Sequence, residues 1–219
     1  MGATVAAAAT AWVLAGAGPA PRAAGADVPV AAKPANAVRL HGRLRYVLGS
    51  PAARVVLVEF GDYQCPFCRR HHREVFARLK ADYVDTGKVR YVVRDLPLEM
   101  HADAFAAAVA ARCAGAQGRF WPMRDALLAS SDLSRRGLAA LARSVGLAAA
   151  PFQSCLKDKR VAAEVRRDVA DARAVGITVT PSFVIGTASA DGVSGTRLAG
   201  AKPYAAFAAR IERLLHTVP

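Results

Sequence analysis

The sequence predicts an α/β fold, and three observations carry that expectation. The run Val55-Val56-Leu57-Val58-Glu59-Phe60 is short, apolar and rich in β-branched residues, is closed by Gly61, and reads as a buried strand. From Pro66 onward Phe67, Val75, Phe76, Leu79 and Tyr83 recur at the spacing of one helical face, with Arg and His opposite, until Gly87 stops the helix. Residues 88–94 (Lys-Val-Arg-Tyr-Val-Val-Arg) then form a second strand. Strand, helix and strand in about 45 residues make a βαβ unit, whose right-handed crossover sets the two strands parallel.

The other elements follow in order. The stretch 99–158 is helical, with segments over 102–116, 121–128 and 134–145 and a short piece around 152–156, punctuated by Gly118, Ser130-Ser131 and Gly146. A further helix over about 160–174 leads to Gly176 and a strand over 177–185. Pro181 interrupts that strand, and a central strand tolerates proline only where the bond is special. A short strand over 196–199 and an amphipathic helix from Pro203, carrying Tyr204, Phe207, Ile211, Leu214 and Leu215, close the chain. There is no internal repeat.

Composition bounds the function. Of 219 residues 53% are hydrophobic and 21% charged, which is a core-forming composition, ample for one domain. No stretch after residue 20 approaches the roughly 18 to 20 apolar residues of a bilayer span. The net charge of +13 invites nucleic acid or anionic membrane as partners. Against that, Arg outnumbers Lys 24 to 6 in an Ala-rich chain, and no basic run with interleaved aromatics, zinc-finger spacing or helix-turn-helix signal is present. Nucleic acid is therefore not an expected partner. Residues 3–18 are apolar or small and precede Ala24-Gly25-Ala26, a small-x-small site of the kind signal peptidase cuts. Residues 1–26 read as a signal peptide or, since no Lys or Arg precedes the apolar run, as an N-terminal anchor. Residues 27–40 read as a linker.

The chemistry centres on Cys65-Pro66-Phe67-Cys68, where a strand turns into a helix. There the unpaired N–H groups and the positive end of the helix dipole stabilise an anion. Cys65 is expected at the helix cap with an exposed sulfur and a lowered pKa, and Cys68 one turn in and more buried. The i, i+3 spacing is within disulfide range, and Pro66 needs no N–H partner at the first helical position. The alternative is a zinc site of Cys65, Cys68 and His71 or His72. It lacks a second ligand pair, because Cys113 and Cys155 stand singly, so no metal and no other cofactor is expected. His71 and His72 are expected to face solvent or to act as electrostatic neighbours of the thiolate.

The segment Val-Glu-Phe-Gly-Asp-Tyr-Gln-Cys-Pro-Phe-Cys resembles the thioredoxin superfamily. The best likeness is to the DsbA-like thiol:disulfide oxidoreductases, in which a helical domain is inserted into a thioredoxin fold. The resemblance extends over about 44–215, and Val179-Thr180-Pro181-Ser182-Phe183-Val184 is similar to the family's cis-proline loop. It implies a thioredoxin-like domain over 41–97 and 159–219 with an inserted helical domain over 98–158. It implies roles for Cys65, Cys68 and Pro181 in exchange, for Glu59 as a buried proton acceptor six positions before Cys65, and for Pro66, Phe67 and Thr180 in substrate binding. Pro97-Leu98 with His101, then Cys113 and Phe120-Trp121, is similar to the start of the inserted domain. Some relatives carry a second, structural disulfide, here Cys113–Cys155, worth about 4 kcal/mol by loop closure.

The expected activity is a dithiol oxidase that donates the Cys65–Cys68 disulfide to reduced, folding exported proteins and is reoxidised by a membrane partner. The expected site of action is periplasmic or extracytoplasmic. Arg69, Arg70, His71, His72 and Arg73 favour a low thiol pKa. Phe67 offers the thiolate neither charge nor hydrogen bond, and Thr180 before Pro181 is more often seen in reductases and isomerases, which remain the alternative. The absence of a sizeable dimerisation segment in 27–40 points to a monomer.

Overall fold

The computed structural model describes residues 1–4, 36–42 and 44–217. Two units separate along the chain. In the unit Met1–Ala32 only residues 1–4 are described, so the leader from residue 5 onward lies outside the described residues, as does the linker as far as residue 35. Every element below belongs to the unit Lys33–Pro219.

The strands are β1 Ala37–His41, β2 Val47–Leu48, β3 Val55–Gly61, β4 Val89–Asp95, β5 Ser182–Ser189 and β6 Gly192–Ala199. They form one sheet in the order β1-β6-β5-β3-β4-β2, with β3 and β4 parallel and every other neighbouring pair antiparallel. The helices are α1 over 66–84, α2 Ala104–Gly115, α3 Phe120–Ala129, α4 Arg135–Ser144, α5 Ala149–Leu156, α6 Lys159–Ala174 and α7 Tyr204–Thr217. α1 is not uniform, since it widens to π-type turns at His72–Phe76 and Lys80–Val84.

β3 lies mid-sheet, with helices on both faces, which is why it reads as an unbroken apolar run instead of an alternating one. Its odd residues Val55 and Leu57 join Tyr91, Phe183, α1, α7 and the inserted helices in one core. Its even residues Val56, Val58 and Phe60 pack with Val92, Val184 and Ala172 of α6 in the other. Glu59 falls on the odd face, beneath α1. The helices α2 to α5 therefore share a core with the sheet and do not form a separate one.

Three expectations need correction. The linker boundary at residue 40 falls inside β1, which pairs with β6 from Ala37 onward. Residues 177–181 are not strand. β5 begins at Ser182 because Pro181 has no N–H to donate to a ladder and its bond to Thr180 is cis. β6 is longer than expected and starts at Gly192, close under β5, where a Cβ on Gly186 would lie 2.0 Å from the Ser194 carbonyl oxygen. The α1 stop at Gly87 is a left-handed residue with φ +76°, the conformation that glycine adopts without a Cβ clash.

Candidate active site

The end of β3 and the first turn of α1 place the two cysteines. Asp62 follows β3, and its Oδ1 accepts from the backbone N–H groups of Gln64 (2.7 Å) and Cys65 (3.2 Å). Its Oδ2 accepts from Leu98 N (2.8 Å) and pairs with His101 Nδ1 at 2.7 Å. Asp62 is buried, so it is not a solvated loop residue but the clamp that fixes the turn into Cys65. His101 is its partner.

Cys65 occupies the N-cap position with extended backbone, and Pro66 is the first helical residue. Both cysteines are free thiols. Cys65 retains only 3% of its surface, so the expected exposed sulfur is instead covered by the loop before Pro181. There Cys65 Sγ lies 3.5 Å from the Thr180 carbonyl oxygen. The exposed residues around it are Pro66 and Phe67 on the helix and Val179 on the facing loop, Phe67 and Val179 each about half exposed.

The two thiols are driven apart. The Cys68 thiol hydrogen-bonds Cys65 and brings its pKa from 9.0 to about 5, against the opposing effect of burial, with Thr180 and the backbone N–H groups of Cys68 and Phe67 adding to the lowering. Burial, together with that same hydrogen bond and the charge of Glu59, pushes Cys68 well above the ordinary thiol value. Two of the arginines expected to depress Cys65 are engaged elsewhere, and none of the three is among the groups that shift it. Arg69 Nε donates to the Tyr63 carbonyl at 3.0 Å and the Arg70 guanidinium sits over the Phe67 ring. Local hydrogen bonds, not the basic flank, set the thiolate.

Glu59 is 2% exposed. Its Oε2 accepts from Tyr91 Oη and from Arg124 Nη2, both at 2.7 Å. Burial alone would raise its pKa, but the Arg124 guanidinium and the Tyr91 hydrogen bond carry it below the ordinary carboxylate value. Glu59, Gly61, Tyr63, Cys68 and Arg124 line one small cavity beneath the cysteine pair. Arg124 and Asp62 are the residues that sequence reasoning missed or left open. Arg124 had a signal, because it lies on the stripe Phe120, Met123, Leu127 and Leu128, the buried face of α3, where a cation requires a counter-charge.

The histidines leave the cysteines. His71 is buried against Phe183 and Phe207, with Nε2 3.4 Å from Tyr91 Oη, and burial lowers its pKa to about 4. It does not face solvent, the first of the two settings expected for it, and it is not among the groups that shift Cys65, the second. His72 Nδ1 meets Arg124 Nη1 at 3.2 Å and its Nε2 faces Asp125. Among the described residues no cluster of three His, Cys, Asp or Glu is arranged to hold a metal. Cys113 of α2 and Cys155 of α5 are joined by a disulfide that closes a separation of 42 residues.

A family model described as Thioredoxin matches residues 44–199. The chain belongs to this thioredoxin family. Among solved structures it resembles alpha-DsbA1 of Wolbachia pipientis, with 28% identity, TM-score 0.69, and coverage of 78% of this chain and 90% of that one. It also resembles a thioredoxin-like oxidoreductase of Silicibacter pomeroyi, with 31% identity, TM-score 0.62, and coverage of 82% and 92%. Among curated relatives, the Na(+)/H(+) antiporter NhaA 1 of Salinispora arenicola is 37% identical over 142 residues, which is 64% of this chain and 21% of the antiporter. The chain thus spans about a fifth of the length of that relative.

Proposed function

We propose that the protein is a thiol:disulfide oxidoreductase acting as a dithiol oxidase, with Cys65 as the sulfur that substrates meet. The observation that carries this is the separation of the two thiols. Cys65 is a thiolate at neutral pH, at about 5, and Cys68 a protonated thiol. Comparable thiols at such helix starts range from about 3.5 in strong oxidants to about 7 in reductases. The more the reduced pair is stabilised by its thiolate, the more readily the disulfide form gives up its oxidising equivalents.

In the oxidised enzyme a substrate thiolate attacks Cys65 Sγ, the Cys65–Cys68 bond breaks, and Cys68 leaves and takes up a proton. A second substrate thiolate then attacks the substrate sulfur of the mixed disulfide, and Cys65 departs as its stabilised thiolate. Pro66, Phe67, Val179 and Thr180 supply an apolar and backbone surface for an unfolded chain, and Pro181 shapes the loop that faces Cys65. Glu59 is the group placed to exchange the Cys68 proton. The substrates are reduced, folding exported proteins, with a membrane redox partner as the source of fresh disulfide. The Cys113–Cys155 disulfide and the leader-like residues 1–26 support a periplasmic or extracytoplasmic setting. No helix of the described residues is long and apolar enough to cross a membrane. The monomeric state and the division into a 41–97/159–219 domain with a 98–158 insertion belong to the same proposal.

The reduction potential of the Cys65–Cys68 couple against glutathione, measured beside insulin reduction with dithiothreitol, tests the direction. An oxidase has a potential well above the thioredoxin value of about −270 mV. A potential near that value, with fast insulin reduction, would instead establish the reductase alternative.

A further inference from the structure

A carboxylate in the middle of a buried strand is costly, by several kcal/mol unless it is paired and fully hydrogen-bonded. Glu59 meets that cost with a cation from outside the sheet. Arg124 comes from α3, in the segment between β4 and α6, and its side chain is 1% exposed. It lies over the rings of Phe76 and Trp121, and its Nη2 reaches Glu59 Oε2 at 2.7 Å. Tyr91 holds the same oxygen, so Oε2 is anchored twice. The other oxygen, Oε1, lies toward Gly61, where a Cβ would stand 3.4 Å from it, and both residues line the cavity shared with Cys68.

We propose that Arg124 is a positioning residue for the exchange reaction, fixing Glu59 as an oriented carboxylate beside Cys68 so that the inserted helices complete the proton-accepting site of the sheet. This rests on the reading of Cys65 and Cys68 as an exchange pair. In resolution of a mixed disulfide, the Cys68 thiol gives its proton to the Glu59 carboxylate. The Cys68 thiolate attacks Cys65 Sγ, the bond from Cys65 to the substrate sulfur breaks, and the electron pair leaves on the substrate as a thiolate. In the reverse step Cys68 is released as a thiolate and takes up a proton. An acceptor whose carboxylate were already protonated could not take part.

The charged and titratable surroundings leave Arg124 this role. From β4, Glu59 faces Tyr91, and Asp95, which burial raises to about 6, lines the same cavity. From α1 it faces Cys68, His71 and His72, and burial keeps both histidines below their ordinary pKa. Tyr63 lies before α1, its buried hydroxyl without a protein partner. Asp125 of α3 is exposed and pairs with His72 and Arg124. Among the described residues Arg124 is the cation that contacts Glu59. With it in place the carboxylate stays ionised below its usual range. Without it burial pushes the carboxyl upward, opposed only by the Tyr91 hydrogen bond and the neighbouring His71.

The test is the pH dependence of mixed-disulfide resolution, followed from a glutathione adduct on Cys65 in the full-length protein. Asp95, raised to about 6 by burial, sets the background in every variant, and beyond it the wild type should show no carboxylate break between about pH 5 and 8. In Arg124→Met a new break should appear in that window, with the rate falling about tenfold per pH unit below it. Arg124→Lys should restore the wild-type profile. If Arg124→Met folds poorly, the pair Glu59→Gln and Glu59→Gln/Arg124→Met carries the same question, since the double variant buries no net charge. Loss of Arg124 should then slow resolution no further than Glu59→Gln alone. An Arg124→Met profile identical to wild type, or a further tenfold loss in the double variant, would overturn the positioning role. A wild type that never resolves the adduct would overturn the exchange reading and this proposal with it.

Discussion

Replacing Cys68 by Ala removes the hydrogen bond that contributes most to the low Cys65 pKa. The size of the effect follows from the two limits, about 5 in the folded protein and 9.0 for the ordinary thiol. A depressed acid contributes stability in full above its unfolded pKa and loses it as the pH falls through its folded pKa. At pH 7 Cys65 therefore stabilises the reduced fold by roughly 3 kcal/mol, a contribution that is gone near pH 4. For a two-electron couple this is about 60 mV of oxidising power. In Cys68→Ala the Cys65 pKa should climb toward 9.0, and each unit of climb removes about 1.4 kcal/mol. Cys68→Ser keeps a donor and should stay near the wild-type value. The assay is the pH dependence of Cys65 alkylation, checked by thiolate absorbance. Alkylation at mildly acidic pH should slow by about tenfold for each unit gained. A Cys68→Ala protein whose Cys65 still titrates at about 5 would show that the helix start and the Thr180 loop suffice, and that the thiol–thiol hydrogen bond is not the cause.

Three further outcomes are expected. Cys113→Ala/Cys155→Ala should lose about 4 kcal/mol of stability by the loop-closure relation for 42 residues, lowering the thermal midpoint by roughly 8 to 16 °C while exchange persists; calorimetry and an activity assay check both halves. Asp62→Ala strips the Gln64 and Leu98 N–H groups and His101 of their acceptor and leaves the Cys65 N–H only the residue-62 carbonyl, and should cost about 2 to 4 kcal/mol in urea unfolding and disorder the turn into Cys65. Phe67→Ser, at a half-exposed position, should change stability by no more than about 0.5 kcal/mol yet weaken binding of unfolded substrate, read as a raised KM.

Much of this architecture was legible in local pattern. β3 was readable because a strand covered on both faces must be apolar throughout, and α1 because its stop glycine sits where a left-handed residue is needed. β1 was not, since an edge strand with a single buried residue, Leu40, among Ala- and Pro-rich flanks carries no strong periodicity. The widening of α1 into π-type turns leaves the three-to-four spacing of its apolar residues nearly unchanged and so escapes a pattern search. The cysteine pair announced itself, but its burial did not, because the cover on Cys65 comes from Thr180, 115 residues away. The same distance effect hid the Glu59 counter-ion. A lone arginine in a helix ordinarily reads as solvated, and only its place on the Phe120, Met123, Leu127 stripe marks Arg124 as buried. Asp62 reads as a loop residue until its local partners, Gln64 and Cys65, are joined by Leu98 and His101 from a distant segment.

The most direct test of the account is disulfide transfer itself. Oxidised protein is mixed, without any other oxidant, with a reduced and unfolded disulfide protein, and thiols are counted on both partners over time. The account predicts that each Cys65–Cys68 disulfide consumed appears as one disulfide in the substrate, that Cys65→Ala transfers none, and that Cys68→Ala traps the mixed disulfide through Cys65. An oxidised Cys65–Cys68 pair that persists beside fully reduced substrate would contradict it.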